Sequence, residues 1–326
     1  MSTQPKVIVI GASSGGLAAL KQIVAGLPAG FPGAVLVAMH VGNHASILPE
    51  ILLSHSALPV RHAVDREPIR PGTVLIAPPD HHLLIASGCV CVTHGPKENF
   101  ARPAIDPLFR SAAAAYRTGT IGVILTGDLD DGTVGLQAIK AYGGITIVQD
   151  PEEAVAPSMP RSAIEHVEVD FCLSLDGIAE TLVTLVDQPI EQINDNAAHE
   201  WIQVENQFMS PQDASMKELG KIAKPSPFTC PECQGSLWQI EGAKPQRFRC
   251  HTGHSFTARY LVSAQEQAVE EAIWAAVRAL HEKESLLQLF ARNARENKRL
   301  EAAAEHAAEA DRVHQHAEAL RRITTA

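Results

Sequence analysis

Short β-branched runs alternate with helical stretches through about the first 187 residues, and few folds accept that alternation. The runs are residues 6–10, 34–39, 73–76, 120–125, 145–148 and 169–173. Most are continuously apolar, as strands buried on both faces must be. With helices between them they predict an α/β fold: a mostly parallel, doubly wound sheet. Residues 83–86 and 89–92 flank Ser87-Gly88 and predict a hairpin at a sheet edge. Asp106 is expected to cap a helix that has Pro107 as its first residue, and Ser46 to cap another.

The chain changes character after that. Residues 188–227 are polar, contain Pro211, Pro225 and Pro227, and read as a linker with some helix in it. Residues 228–256 form a small Cys/His module. Residues 257–326 hold no Pro and no Gly, and Leu300, Ala303, Ala307, Ala310, Val313, Ala317 and Leu320 recur at spacings of three and four. That is one apolar helical stripe, so a helical hairpin or coiled-coil arm is expected, with self-association through it. Domains are thus expected at 1–187, 188–227, 228–256 and 257–326.

Bulk properties narrow the function classes. The net charge is −10, which argues against a protein that wraps nucleic acid over its whole surface. No apolar stretch approaches the roughly 18 residues a membrane span needs. Met1-Ser2-Thr3-Gln4-Pro5-Lys6 has no signal-peptide charge block, so a cytoplasmic protein is expected. Six cysteines in 326 residues do not make a disulfide scaffold.

The first strand runs into Gly11-Ala12-Ser13-Ser14-Gly15-Gly16 and then a helix, which fits G-x-S-x-G. Such a turn exposes a serine at the carboxyl edge of the sheet, where backbone N–H groups can hold an oxyanion. A nucleotide-binding turn would want an acid at the end of the second strand, and His40 stands there instead. Asp128, Asp130 and Asp131 follow the strand at 120–125. A parallel sheet brings these strand ends to one rim, so a hydroxyl, an imidazole and a carboxylate can meet there. NAD or ATP binding is the weakest of the competing readings.

The chain also carries Met39-His40-Val41, Ala77-Pro78-Pro79-Asp80-His81-His82, Arg102-Pro103-Ala104-Ile105-Asp106-Pro107-Leu108-Phe109, Leu125-Thr126-Gly127, Asp131-Gly132, Val148-Gln149-Asp150-Pro151 and Met159-Pro160. With these motifs, in this order, it resembles the catalytic domain of CheB-type protein-glutamate methylesterases of bacterial chemotaxis, over about residues 5–187. The resemblance implies hydrolysis of glutamate γ-methyl esters on chemoreceptors or receptor-like signalling proteins, releasing methanol, and deamidation of receptor glutamines. It implies Ser13 as nucleophile, His40 as base and Asp131 as orienting acid, no catalytic cofactor, and a CheR-type methyltransferase in the same pathway. The alternative is a weak or inactive adaptor that binds signalling helices. Familiar CheB proteins carry a receiver domain ahead of the first catalytic strand, so control by phosphorylation within this chain is not expected. The family has Met-Gly where this chain has Asp128-Leu129. A carboxylate there would oppose an oxyanion, and Leu129 is not expected to take the positive φ open to glycine.

Cys230-Pro231-Glu232-Cys233 and Cys250-His251-Thr252-Gly253-His254 carry the spacing of a structural Zn²⁺ ribbon. Cys230, Cys233, Cys250 and His254 are the expected ligands, with His251 the rival fourth. Among the remaining residues, Cys89, Cys91 and Cys172 read as buried, and His81, His82 and His94 as surface or satisfied histidines near the cleft.

Overall fold

The computed structural model describes residues 5–190, 199–209 and 216–324, so Met1 to Gln4 and the linker residue Pro211 lie outside the described residues. The first part contains β1 (Val7–Ala12), α1 (Gly16–Ala25), β2 (Ala34–Met39), α2 (Leu48–Leu53), β3 (Val60–His62) and β4 (Thr73–Ile76). Then come β5 (His82–Ala86), β6 (Cys89–Thr93), α3 (Ile105–Tyr116), β7 (Thr120–Ile124), α4 (Thr133–Ala141), β8 (Ile145–Gln149), α5 (Ser158–His166), β9 (Phe171–Leu173) and α6 (Leu175–Val186). Seven strands form one sheet in the order β3-β4-β2-β1-β7-β8-β9, and every pairing is parallel.

Side chains alternate across a strand, and the buried clusters follow that alternation. Val7, Val9 and Leu36 point to the face covered by α3 and α4, where they meet Leu108, Phe109 and Leu136. Ile8, Ile10, Val35 and Val37 point to the other face, against Leu20, Ile23 and Val24 of α1 and Leu182 of α6. The register pairs Ala12 with Met39 and Gly11 with Ile124. The residues that follow β1, β2 and β7 therefore emerge side by side at one rim. The hairpin β5–β6 forms as expected, as a two-stranded sheet of its own. Asp106 does not cap α3: Ala104 occupies that position, and the Asp106 carboxyl accepts a hydrogen bond from Gly135 N in α4 (2.6 Å).

The stretch read as linker holds α7 (Glu200–Gln207) and α8 (Met216–Ile222), and the next strand starts inside it. That strand, β10 (Ala223–Thr229), leads into β11 (Ser236–Ile240), β12 (Arg247–Cys250) and β13 (Ser255–Thr257), a four-stranded sheet in chain order. This module and the α/β sheet belong to one compact unit that ends at Tyr260. A buried charge cluster helps hold them. Arg247 of β12 donates twice to Glu205 of α7 (2.6 and 2.7 Å), Arg110 of α3 donates twice to Glu98 (2.9 and 2.7 Å), and Arg249 of β12 also donates to Glu98 (2.7 Å). Glu205 and Arg110 are 3.5 Å apart. Pro225 and Pro227 sit in β10, the edge strand of this small sheet, where a missing N–H is tolerated.

Residues 261–326 are a second unit. It holds all but the first turn of α9 (Ala258–Glu296), which turns at Lys298 (φ 59°) into α10 (Leu300–Thr324). Lys283 pairs with Glu309 and Glu284 with His314, while Phe290 meets His306, so the two helices run antiparallel. Leu287, Ala310 and Val313 form the seam. Of the expected stripe, Ala303, Ala310, Val313 and Ala317 are buried, whereas Leu300 is exposed at the turn.

Removing one partner from a buried ion pair strands the others without water, at roughly 3–5 kcal/mol. Glu205→Ala is expected to destabilise the chain by about that amount in urea unfolding. Lys140→Ala, which breaks a surface pair with Asp170, should stay below about 1 kcal/mol.

Candidate active site

Ser13 follows β1, and its N–H continues the sheet's ladder by donating to Thr126 O (3.0 Å). The chain then turns sharply: Gly16 N donates to Ser13 O (2.8 Å), and Gly15 takes φ 77°. A side chain at Gly15 would also press on Val155, at 2.7 Å. Gly127 backs Ser13 closely, because a Cβ there would lie 2.8 Å from Ser13 Cβ. His40 follows β2, with its N–H on Ala12 O (3.1 Å). Its Nδ1 is 3.0 Å from Ser13 Oγ and its Nε2 is 2.7 Å from Asp131 Oδ2. The His40 side chain is 19% exposed and that of Asp131 is 0% exposed, so a substrate can reach the imidazole while its acid partner stays dry.

Asp131 precedes α4 and lies at the start of α3. Its Oδ2 accepts from Ile105 N (2.7 Å), and its Oδ1 from Gly132 N (3.1 Å), Asp106 N (3.3 Å) and Asn99 Nδ2 (3.2 Å). Burial alone would push this carboxyl up, but the bond and charge of His40 and the Ile105 N–H bring it below the usual carboxylate range. An ionised Asp131 accepts only, so His40 carries its proton on Nε2 and offers a lone pair on Nδ1 to the Ser13 hydroxyl.

The other two aspartates turn elsewhere. Asp128 is exposed, and its Oδ2 accepts from the Ser14 hydroxyl, one residue from Ser13. Asp130 accepts from Thr257 Oγ1 (2.8 Å) through Oδ1, and its Oδ2 has no hydrogen-bond partner among the described residues. Burial pushes the Asp130 carboxyl up to about 6. Leu129, between them, takes φ 61°, contrary to the sequence expectation. It is strained in the left-handed region, held there by the hydrogen bonds of Asp128 and Asp130 on either side.

Three comparisons bear on this rim. The profile of the CheB methylesterase family matches residues 8–182. A Leptospira interrogans protein (serovar copenhageni), whose name carries the terms protein-glutamate methylesterase and protein-glutamine glutaminase, is 41% identical over 189 residues, 57% of this chain and 98% of that protein. The chain belongs to the CheB methylesterase family. A Thermotoga maritima protein-glutamate methylesterase/protein-glutamine glutaminase is 40% identical over 186 residues, 56% of this chain and 54% of that protein, so the match spans about half of that relative. The crystal structure of the Thermotoga maritima CheB methylesterase catalytic domain aligns with TM-score 0.54 and 39% identity, covering 56% of this chain and all of that domain.

Beyond the CheB-like part, Cys230, Cys233, Cys250 and His254 bring their ligand atoms within 4.8 Å of one another, a set that could hold a metal ion. Cys233 Sγ and Cys250 Sγ are 3.7 Å apart, and His254 Nδ1 is 3.6 Å from Cys250 Sγ and 3.8 Å from Cys230 Sγ. A tetrahedral ion with sulfur at about 2.3 Å has edges near 3.8 Å, so the spacing fits. Gly253 takes φ 100°, the turn that aims His254 back, while His251 is exposed and packs on Gly235 outside the cluster.

The three remaining cysteines sit differently from their sequence expectation, whereas His82 is a satisfied histidine as expected. Cys172 is exposed and Cys89 and Cys91 are half-buried, because β9 is an edge strand and β6 has a face turned outward. His82 is fully buried, bonded to Pro96 O (3.0 Å) and Ala104 N (3.2 Å), and burial pushes it down to about 4. It is a neutral brace for the loop before α3. Asn99 escaped the sequence reading altogether. No periodicity marks it, and its only local sign is its place between Gly95-Pro96 and Arg102-Pro103.

A carboxyl held above its unfolded value binds its proton more tightly in the folded chain. Asp130 therefore costs stability as the pH rises from about 4 through about 6. Asp130→Asn is expected to be more stable than wild type by about 1–2 kcal/mol at pH 7.5 in urea unfolding, with the difference gone near pH 4.

Proposed function

We propose that this chain is a serine esterase that removes methyl groups from glutamate γ-methyl esters on chemoreceptors or receptor-like signalling proteins. The observation that carries the proposal is the unbroken hydrogen-bond chain from Ser13 through His40 to Asp131. The names of the relatives support a methylated protein glutamate as substrate, and they extend it to protein glutamines.

The steps follow from the geometry. Ser13 Oγ attacks the ester carbonyl while its proton passes to His40 Nδ1. The imidazolium gives that proton to the departing methoxide, methanol leaves, and an acyl-Ser13 remains. Water then attacks, His40 takes its proton, and the glutamate carboxylate is released as Ser13 recovers its hydrogen. Asp131 stays ionised throughout and steadies the imidazolium. A glutamine enters the same sequence and releases ammonia. Asp128 acts against the first step, because a negative charge hydrogen-bonded to Ser14, the nucleophile's neighbour, raises the energy of the developing oxyanion.

We assign residues 5–187 to catalysis, the Cys/His module to structure and the helical arm to recruitment. Zn²⁺ is the ion that best suits three thiolates and an imidazole; bound there, it would cross-link β10, β12 and the loops beside them. Thiolate ligands need a reducing compartment, which supports a cytoplasmic setting. No helix among the described residues is long and apolar enough to cross a membrane. A CheR-type methyltransferase would supply the methyl ester. Exposed Trp274, Leu286, Leu289 and Phe290 on α9 support self-association through the arm.

Ser13→Ala is expected to abolish methanol release from methylated receptor and labelling by a fluorophosphonate probe, with the circular dichroism unchanged. Unchanged methanol release would end the proposal. Asp128→Asn is expected to raise kcat several-fold, since an exposed charge near the oxyanion is worth about 1 kcal/mol; a fall in kcat would show that the carboxylate assists instead.

A further inference from the structure

The small metal module is built into the wall of the triad. Asn99 N donates to Ser255 O (2.8 Å), and Thr257 N donates to Asn99 Oδ1 (3.1 Å), so strand β13 grips this residue at both backbone and side chain. The grip fixes the amide so that Nδ2 faces Asp131 Oδ1 at 3.2 Å. Asn99 and Phe100 both take positive φ (52° and 60°). Two successive left-handed residues persist only where surroundings hold them. Here Phe256 of β13 supplies the hold, with its ring 4.8 Å from that of Phe100.

One residue earlier the same loop is tied to the metal ligands. Glu98 is 2% exposed and takes Arg249 on one oxygen and Arg110 on both. Arg249 directly precedes Cys250, and its Nη1 donates to the carbonyl of Gly253 (2.7 Å), the residue before His254. One guanidinium thus spans the turn that presents two of the four ligands and the loop that presents Asn99. Small Cys/His modules order on binding their ion, because a short chain alone buries too little apolar surface. When that order is lost, Arg110 still holds Glu98, but Asn99 and Phe100 lose the grip of β13.

We infer that Asn99 is a positioning residue for Asp131, and that the Cys230, Cys233, Cys250 and His254 site governs it through Arg249 and β13, so that the metal state of the module sets the turnover of the triad. The inference rests on the serine-esterase reading and adds a means of control to it.

The test uses the full chain. Asn99→Gly keeps a residue that accepts φ 52° but removes the amide. It is expected to lower kcat on the order of tenfold with KM within about twofold, and to shift the downfield proton signal of the His40 Nε2–H that points to Asp131. In parallel, Zn²⁺-loaded protein is treated with a chelator and followed by fluorophosphonate labelling of Ser13 and by amide hydrogen exchange. Labelling is expected to slow on the order of tenfold, and the amides of Asn99 and Ile105 to lose protection while those of β1 and β2 keep theirs. Should the metal-free chain lose structure globally, Arg249→Met separates the two effects: it is expected to retain Zn²⁺ by elemental analysis and still expose Asn99 and slow labelling. Unchanged kcat and an unshifted His40 signal in Asn99→Gly would overturn the positioning role. Unchanged exchange at Asn99 and Ile105 after chelation and in Arg249→Met would overturn the metal link. If loaded wild type fails to label at all, the esterase reading falls, and the exchange measurements decide the link between metal and loop by themselves.

Discussion

A carboxylate with no access to water has to stay charged at the centre of this molecule. Burial favours the neutral acid, and five donors from four places outweigh it: His40, Ile105 and Asp106, Gly132, and Asn99. Each donor constrains an element. His40 needs β2 beside β1, the two backbone groups need the start of α3 under the rim, and Gly132 needs α4 to begin one residue later. The nearby Asp106 shows the opposite result. It is equally buried and lies beside the charged Asp131, and it is pushed well above its ordinary value. Two buried carboxyls that feel each other's charge are thus shifted in opposite directions, Asp131 down by its donors and Asp106 up by burial and the charge of Asp131.

Much of this was legible in the sequence because it is local. Ser13 and His40 stand directly after apolar runs, and strand ends in a parallel sheet meet. Asp131 was one of three candidates until the family resemblance singled it out, and the turn around Leu129 explains why composition could not choose. Alternation along that turn sends Asp128 outward, Asp130 to Thr257 and Asp131 inward. The Cys/His spacing likewise carried its own geometry. Residues such as Glu98, Asn99 and Glu205 were illegible for the converse reason. Their partners lie far off in the chain, Glu205 with Arg247 and Glu98 with Arg249, and no periodicity encodes such pairings.

Propensity misled in a similar way. Asp106 before Pro107 looks like a cap, but the helix begins at Ile105 because its N–H is needed by Asp131. Leu129 looked unable to adopt a glycine's backbone, yet hydrogen bonds on either side hold it there. In both places a tertiary requirement at the functional rim overrides the local preference.

Two glutamates, Glu98 and Glu205, face three guanidiniums, Arg110, Arg247 and Arg249, with almost no exposure among the five. Each half of that cluster is uninhabitable alone. Ending the chain after α6, at Asp187, would leave Arg110 and Glu98 without Glu205 and Arg249 and take β13 away from Asn99. The piece that matches 98% of the Leptospira interrogans relative is, in this chain, one side of a joint.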